Sequence, residues 1–264
     1  MEFFKDCSPI TLALFATIFC WLLTALGAAT VFFFGRVNRA LLSAMLGFSS
    51  GIMIAASFWS LLSPAIELAE KSPLPAYIVA TSGFISGALF TLASDAILSK
   101  LHFEEDIPKS KKRLLLLVGA ITVHNIPEGL AVGVAFGALT NSPMTNVALA
   151  SAISVAFGIA LQNFPEGAAV SIPMREAGAS RAKSFFWGQF SGMAEPIAGV
   201  IGAFLVSYIT PILPYALSFA AGAMIYVVVE ELIPEARRSS SKYIATLGCI
   251  AGFAVMMILD VALS

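Results

Sequence analysis

The chain has 264 residues, 58% of them hydrophobic and only 12% charged, with a formal net charge of −1 and a mean hydropathy of +0.89. A soluble domain carries about 25% charged residues, so the composition excludes a cytosolic globular enzyme, a disordered chain and a nucleic-acid binder. A membrane span takes about 20 mainly apolar residues, and such runs fill most of the sequence. The expectation is one polytopic all-α membrane domain over 1–264.

In chain order, the apolar runs predict eight spans at approximately 9–34, 40–68, 75–99, 113–138, 147–174, 184–209, 211–235 and 242–262. The sixth and seventh are parted only by the short stretch from Ser207 to Pro214. The opening residues Met-Glu-Phe-Phe-Lys-Asp are not a basic leader, so no cleavable signal peptide is expected. Cys7, Cys20 and Cys249 form no CxxC pair and suggest neither a disulfide framework nor a thiolate metal site.

With eight spans both termini share one side. The loops of the other side hold Arg36 and Arg39, then Lys100, Lys109, Lys111, Lys112 and Arg113, then Arg175, Arg181 and Lys183, then Arg237, Arg238 and Lys242. Only Lys5 and Lys71 remain on the terminal side. The positive-inside rule therefore places the termini outside, extracellular or periplasmic, in a multi-pass protein of the cell (inner) membrane. The loop from Lys100 to Arg113 also carries His102, Glu104, Glu105 and Asp106. It reads as a solvated loop with basic headgroup anchors, with a weak cytoplasmic metal-handling role as the alternative.

Internal repeats refine the architecture. Leu46-Gly-Phe-Ser-Ser-Gly-Ile-Met-Ile in span two resembles Leu217-Ser-Phe-Ala-Ala-Gly-Ala-Met-Ile in span seven, 171 positions on. Gly83-Phe-Ile-Ser-Gly in span three resembles Gly248-Cys-Ile-Ala-Gly in span eight, 165 positions on, which also superposes Asp95 on Asp260. Each pair crosses the membrane in opposite directions. The reading is an inverted repeat of spans 1–3 and 6–8 around spans four and five, a 3+2+3 arrangement of the kind found in secondary transporters. The central pair repeats too: His124-Asn-Ile-Pro-Glu-Gly-Leu-Ala-Val matches Gln162-Asn-Phe-Pro-Glu-Gly-Ala-Ala-Val.

These motifs put Glu128, Glu166 and Glu195 near the middle of spans four, five and six. A charge at a helix centre costs about 2.5–3.5 kcal/mol on the mildest scale. Three unpaired carboxylates would thus cost about 8–10 kcal/mol, as much as a whole domain's stability. All Lys and Arg lie in loops or at span ends, so the acids must be protonated, hydrated, or neutralised by a cation from outside. His124 and Glu128, like Gln162 and Glu166, are four apart and share a helix face. Asn125 with Glu128, and Asn163 with Glu166, are three apart. Two neighbouring sites follow, one of His124, Glu128, Gln162 and Glu166, the other of Asn125, Asn163, Glu166 and Glu195. Imidazole, amide oxygen and carboxylate suit Zn²⁺, Fe²⁺, Mn²⁺ or Co²⁺. Pro127, Pro165 and Pro196 free the carbonyls of Val123, Leu161 and Gly192, and free carbonyls at this depth point to a polar cavity.

The motifs His-Asn-x-Pro-Glu-Gly, Gln-Asn-x-Pro-Glu-Gly and Gly-Met-Ala-Glu-Pro, on eight spans with outward termini, resemble the ZIP (Zrt/Irt-like) family, most of all its prokaryotic GufA-like branch. The resemblance covers essentially the whole chain. It implies a transporter moving Zn²⁺ and related ions, Cd²⁺ among them, into the cytoplasm through a binuclear midplane site, with no organic cofactor. Carried over, His124, Glu128, Gln162 and Glu166 fall on the family's primary site and Asn125, Asn163, Glu166 and Glu195 on its secondary site. Many relatives have His or Asp where this chain has Gln162 and Asn163, which bears on metal preference.

The remaining acids fit a path. Asp260 near the outer end of span eight is a candidate entrance, and Asp95, Glu230, Glu231 and Glu235 at the inner ends of spans three and seven are candidate exit residues. Glu67 and Glu70 read as interfacial. Gly83-x-x-x-Gly87 offers a small-residue face that permits a homodimer. Both proton exchange and passive flow suit these residues. Two other classes compete: an intramembrane zinc hydrolase, against which stands the absence of HExxH, and a proton- or sodium-coupled carrier of an organic solute, which leaves His124 and the amides unexplained.

Overall fold

The computed structural model describes residues 7–33, 38–100, 109–140, 145–238 and 242–263. His102, Glu104, Glu105 and Asp106 lie outside these. All regular structure among the described residues is helical, and it forms eight rods. They are α1 (Pro9–Ala28, with a further turn Thr30–Phe33), α2 (Arg39–Ala56, continuing to Ala69), α3 (Ala76–Lys100) and α4 (Lys109–Gly137). The others are α5 (Asn146–Glu176), α6 in two pieces (Arg181–Ser191 and Ala194–Tyr208), α7 (Leu213–Val227, continuing to Arg238) and α8 (Lys242–Leu263). By length and composition, seven of the rods are able to cross a membrane: α1, α2, α3, α5, α6, α7 and α8. The chain is a multi-pass membrane protein.

Local sequence accounts for where the helices begin. Ser8, Asn38, Thr145 and Ser180 each accept a backbone N–H from the first turn that follows, at 3.0–3.3 Å. Each such cap stabilises a helix by about 1 kcal/mol. The prolines behave differently from one another. α4 and α5 run through Pro127 and Pro165 without interruption, whereas α6 breaks at Gly192–Met193. There the Gly192 carbonyl accepts the N–H of Glu195 at 3.1 Å. Pro196 then sits in the first turn of the new piece, where its missing N–H has no partner to lose.

Polarity is inside out. Phe15, Leu89, Ile197, Phe204 and Ile250 point outward, while His124, Asn125, Glu128, Gln162, Asn163, Glu166 and Glu195 are buried. Because lipid is as apolar as a leucine side chain, helices there associate through close packing of small residues. Four pairs pack most extensively: α2 on α8, α3 on α7, α1 on α5, and α4 on α6. A Cβ at Gly51 of α2 would collide with the carbonyl oxygen of Cys249 in α8, and one at Gly222 of α7 with that of Phe84 in α3. Gly51 and Gly222 are 171 apart, and Phe84 and Cys249 are 165 apart, the two offsets of the sequence repeats.

Two further features follow the same numbers. α2 and α7 each widen into a π-helical segment, Ser57–Leu62 and Val228–Leu232, whose first residues are again 171 apart. The Gly83 and Gly87 face, expected to permit a homodimer, is instead covered within the chain by Tyr215, Ser218 and Phe219 of α7. Sequence spacing shows that a face is smooth, not which helix takes it.

Candidate metal site

Three side-chain groups form where α4, α5 and α6 meet the other helices. In the first, Gln162 Nε2 donates to Glu128 Oε1 at 2.7 Å, joining α5 to α4. In the second, Asn163 Nδ2 donates to Glu195 Oε2 at 2.7 Å, joining α5 to α6. Each amide thus spends its N–H on a carboxylate and keeps its oxygen free. Glu166 is contacted from α2, where Ser49 Oγ donates to Glu166 Oε1 and to the Gln162 carbonyl, both at 3.4 Å. Asn125 Nδ2 donates back to the Ile121 carbonyl at 2.8 Å, which again leaves the amide oxygen free.

The third group lies around His124. Its Nδ1 is 3.1 Å from Glu231 Oε2 of α7 and its Nε2 is 3.6 Å from Asp95 Oδ1 of α3. Among the described residues, these three form the one set of His, Cys, Asp and Glu whose ligand atoms all come within 4.8 Å of one another. Sequence spacing grouped His124 with Glu128, Gln162 and Glu166; its ring nitrogens face Asp95 and Glu231. Of the other exit candidates, Glu230 is exposed and Glu235 pairs with Arg238 at 3.1 Å.

Asp260 stands apart from all of these. It is buried, 8% exposed, and its Oδ1 accepts from Ser60 Oγ at 2.7 Å and from Ser154 Oγ at 3.4 Å. Ser60 lies in the π-helical segment of α2 just as Glu231 lies in that of α7. Ser60 and Glu231 are 171 apart, and Asp260, which accepts from Ser60, is 165 positions after Asp95, which shares His124 with Glu231. Sequence reading did not single out Ser49, Ser60 or Ser154. Serines in apolar helices commonly bond back to their own turn, as Ser50 and Ser57 do here, so no local signal distinguishes them.

What the groups can do follows from what they leave unpaired. Buried side-chain atoms with no hydrogen-bond partner, among the described residues, include Asn125 Oδ1, Glu128 Oε2, Gln162 Oε1, Asn163 Oδ1, Glu195 Oε1 and Asp260 Oδ2, together with Asp95 Oδ1 and His124 Nε2, which face each other at 3.6 Å. The other such atom is Ser184 Oγ. An unsatisfied buried polar atom costs about 1–3 kcal/mol, and these are nearly all acceptor oxygens. No Lys or Arg pairs with the buried glutamates among the described residues; the ion pairs to basic side chains are Arg39–Glu176 and Arg238–Glu235. Oxygens and an imidazole nitrogen of this kind are the donor types that suit a divalent cation.

A family model described as the ZIP zinc transporter matches residues 99–260, more than half of the chain. The chain belongs to the ZIP family. Across almost its whole length it is similar to the zinc transporter ZIP11 of Xenopus tropicalis, 40% identical over 97% of this chain and 98% of the relative. It is also similar to the zinc transporter GufA of Myxococcus xanthus, 35% identical over 95% and 98% of the two chains. The zinc transporter ZupT of Chlorobium phaeovibrioides is 35% identical over 92% and 95%. The GufA-like likeness read from the motifs thus has a GufA protein among the relatives. The match also takes in α4, α5 and α6, the helices of this ZIP chain that carry the buried Glu128, Glu166 and Glu195.

Proposed function

We propose that this ZIP protein carries Zn²⁺ and related divalent ions such as Fe²⁺, Mn²⁺, Co²⁺ and Cd²⁺ into the cytoplasm, as a transporter rather than an enzyme. The observation that carries the reading is the set of buried, unpartnered oxygens on Glu128, Gln162, Asn163 and Glu195, with no basic side chain paired to these acids among the described residues. A cation supplies the missing charge. Glu128 with Gln162, and Glu195 with Asn163, form two adjoining halves, with Glu166 serving both and Asn125 completing the second. His124 takes the ion from the first half and passes it to Asp95 and Glu231.

The architecture proposed is eight spans in one domain, α4 included, with both termini outside and an inverted repeat of spans 1–3 and 6–8. Its support is the coincidence of the two offsets at the Gly51 and Gly222 contacts, at the π-helical segments, and between the Ser60–Asp260 pair and the two acids Glu231 and Asp95 around His124. The repeat sets one carboxylate and its hydroxyls at the outer end of the path and two carboxylates with an imidazole at the inner end. Asp260 then receives the ion from outside, and Asp95 and Glu231 release it within. Rocking of one repeat-related bundle against the other opens each end in turn.

Liposomes loaded with a metal-sensitive dye test the reading. The purified protein is expected to admit Zn²⁺, with or without a pH gradient, well above protein-free liposomes. Absence of Zn²⁺, Cd²⁺, Fe²⁺ and Mn²⁺ entry under both conditions overturns it.

A further inference from the structure

One buried reactive group in this region has no part in the path just described. Cys20 of α1 is 0% exposed, as is Glu195 of α6. The two helices meet through small residues on either side of this level. A Cβ at Gly199 would meet the Thr17 side chain, and one at Gly192 would meet that of Thr24. Thr17 and Thr24 are Cys20 minus three and plus four, while Gly192 and Gly199 are Glu195 minus three and plus four. The antiparallel register therefore sets Cys20 opposite Pro196, one residue from Glu195, and brings the thiol close to that carboxylate.

A buried cysteine can be a small apolar filler with its S–H satisfied, and Cys20 does donate to the Ala156 carbonyl at 3.3 Å. That bond uses the proton and leaves the sulfur lone pairs free. Beside it, Glu195 Oε1 and Asn163 Oδ1 have no partner. Two hard oxygens and one soft sulfur thus border the same end of the site.

We propose that Cys20 is a sulfur ligand at the Glu195–Asn163 end of the site, giving the protein a preference for thiophilic divalent cations over hard ones. This rests on the reading of Glu195 and Asn163 as metal-holding residues. On binding, the S–H bond breaks and an S–metal bond forms, and the displaced proton passes to water. No oxidant or reductant is involved. Thiolate favours Zn²⁺ and Cd²⁺, whereas Mn²⁺ prefers an all-oxygen set.

The test uses the full chain in lipid nanodiscs with Cys7→Ser and Cys249→Ser, which leave Cys20 as the one thiol. Titration with Cd²⁺ is expected to produce the ultraviolet sulfur-to-cadmium charge-transfer band, and Cys20→Ser is expected to abolish it. In dye-loaded liposomes, Cys20→Ser should lower the ratio of Cd²⁺ to Mn²⁺ uptake by at least about tenfold. No band with Cys20 intact while Cd²⁺ is still transported, or an unchanged uptake ratio in Cys20→Ser, overturns the proposal. If Cys20→Ser does not fold, presence or absence of the band in the chain that keeps Cys20 decides. Failure of the underlying import reading looks different, because the wild type then passes no metal at all.

Discussion

Glu166→Ala is expected to lower zinc uptake into liposomes by about 100-fold or more, with Glu67→Ala unchanged. Loss of a group that merely supports a metal ligand costs about 10–100-fold, and Glu166 is proposed to serve both halves of the site. Its recorded side-chain hydrogen bond is the 3.4 Å contact from Ser49, so removing it costs little in folding. A variant that elutes and melts like the wild type but does not transport separates function from stability. Glu67 is exposed and accepts from Ser63 Oγ at 3.5 Å. Uptake by Glu166→Ala within twofold of wild type would remove this residue from the site. His124→Ala is expected to fall in the same direction, because its ring, which faces Asp95 and Glu231, is proposed to pass the ion to them.

The second large effect has the opposite sign for stability. Glu128→Gln is expected to make the metal-free protein melt at a higher temperature than metal-free wild type, and to abolish the rise that Zn²⁺ produces. An ionised side chain at a helix centre costs about 2.5–3.5 kcal/mol, and Glu128 Oε2 has no partner. Glutamine removes the charge and keeps an oxygen to accept from Gln162 Nε2, which now bonds Glu128 at 2.7 Å. In wild type a cation at one hundred times its Kd stabilises by about 2.7 kcal/mol; the variant has lost that ligand. Thermal unfolding with and without Zn²⁺ checks both halves. A variant that melts lower than metal-free wild type and is still stabilised by Zn²⁺ would make Glu128 a structural hydrogen-bonding group. The expected trade of stability for function is common at binding sites.

The amino-acid sequence exposed the glutamates well because their cost does not depend on packing. An acid within an apolar run demands a partner whatever surrounds it, and the Asn-x-Pro-Glu-Gly repeat identified two of the three. Seven of the spans were legible from hydropathy, with ends moved by a few residues. The break in α6 was legible in part, since Pro196 marked the place while Pro127 and Pro165, which look alike in sequence, sit in unbroken helix. The partners of His124 were harder. Spacing of four sets it on a face with Glu128, but its ring turns to α3 and α7, and that choice belongs to tertiary packing. Glu231 and Ser60 were further obscured by their π-helical segments. Such a segment takes an extra residue per turn, so a count of 3.6 assigns the following side chains to the wrong face.

The glycines teach the same lesson about partners. Gly83-x-x-x-Gly87 is correctly read as a surface for close helix contact, yet the helix it receives is α7 of the same chain. The offsets of 171 and 165 relate this contact of α3 with α7 to the one of α8 with α2, as they relate the Gly222 and Gly51 contacts.

The central claim is that a divalent cation supplies the charge missing beside Glu128, Glu166 and Glu195. Anomalous scattering from a crystal of the protein grown with Cd²⁺ tests it most directly. The predicted result is cadmium between α4, α5 and α6, in contact with these carboxylates and with the free oxygens of Gln162 and Asn163. Cadmium confined to exposed acids such as Glu67 and Glu230, with Glu128 and Glu195 still bonded only to Gln162 and Asn163, would contradict it.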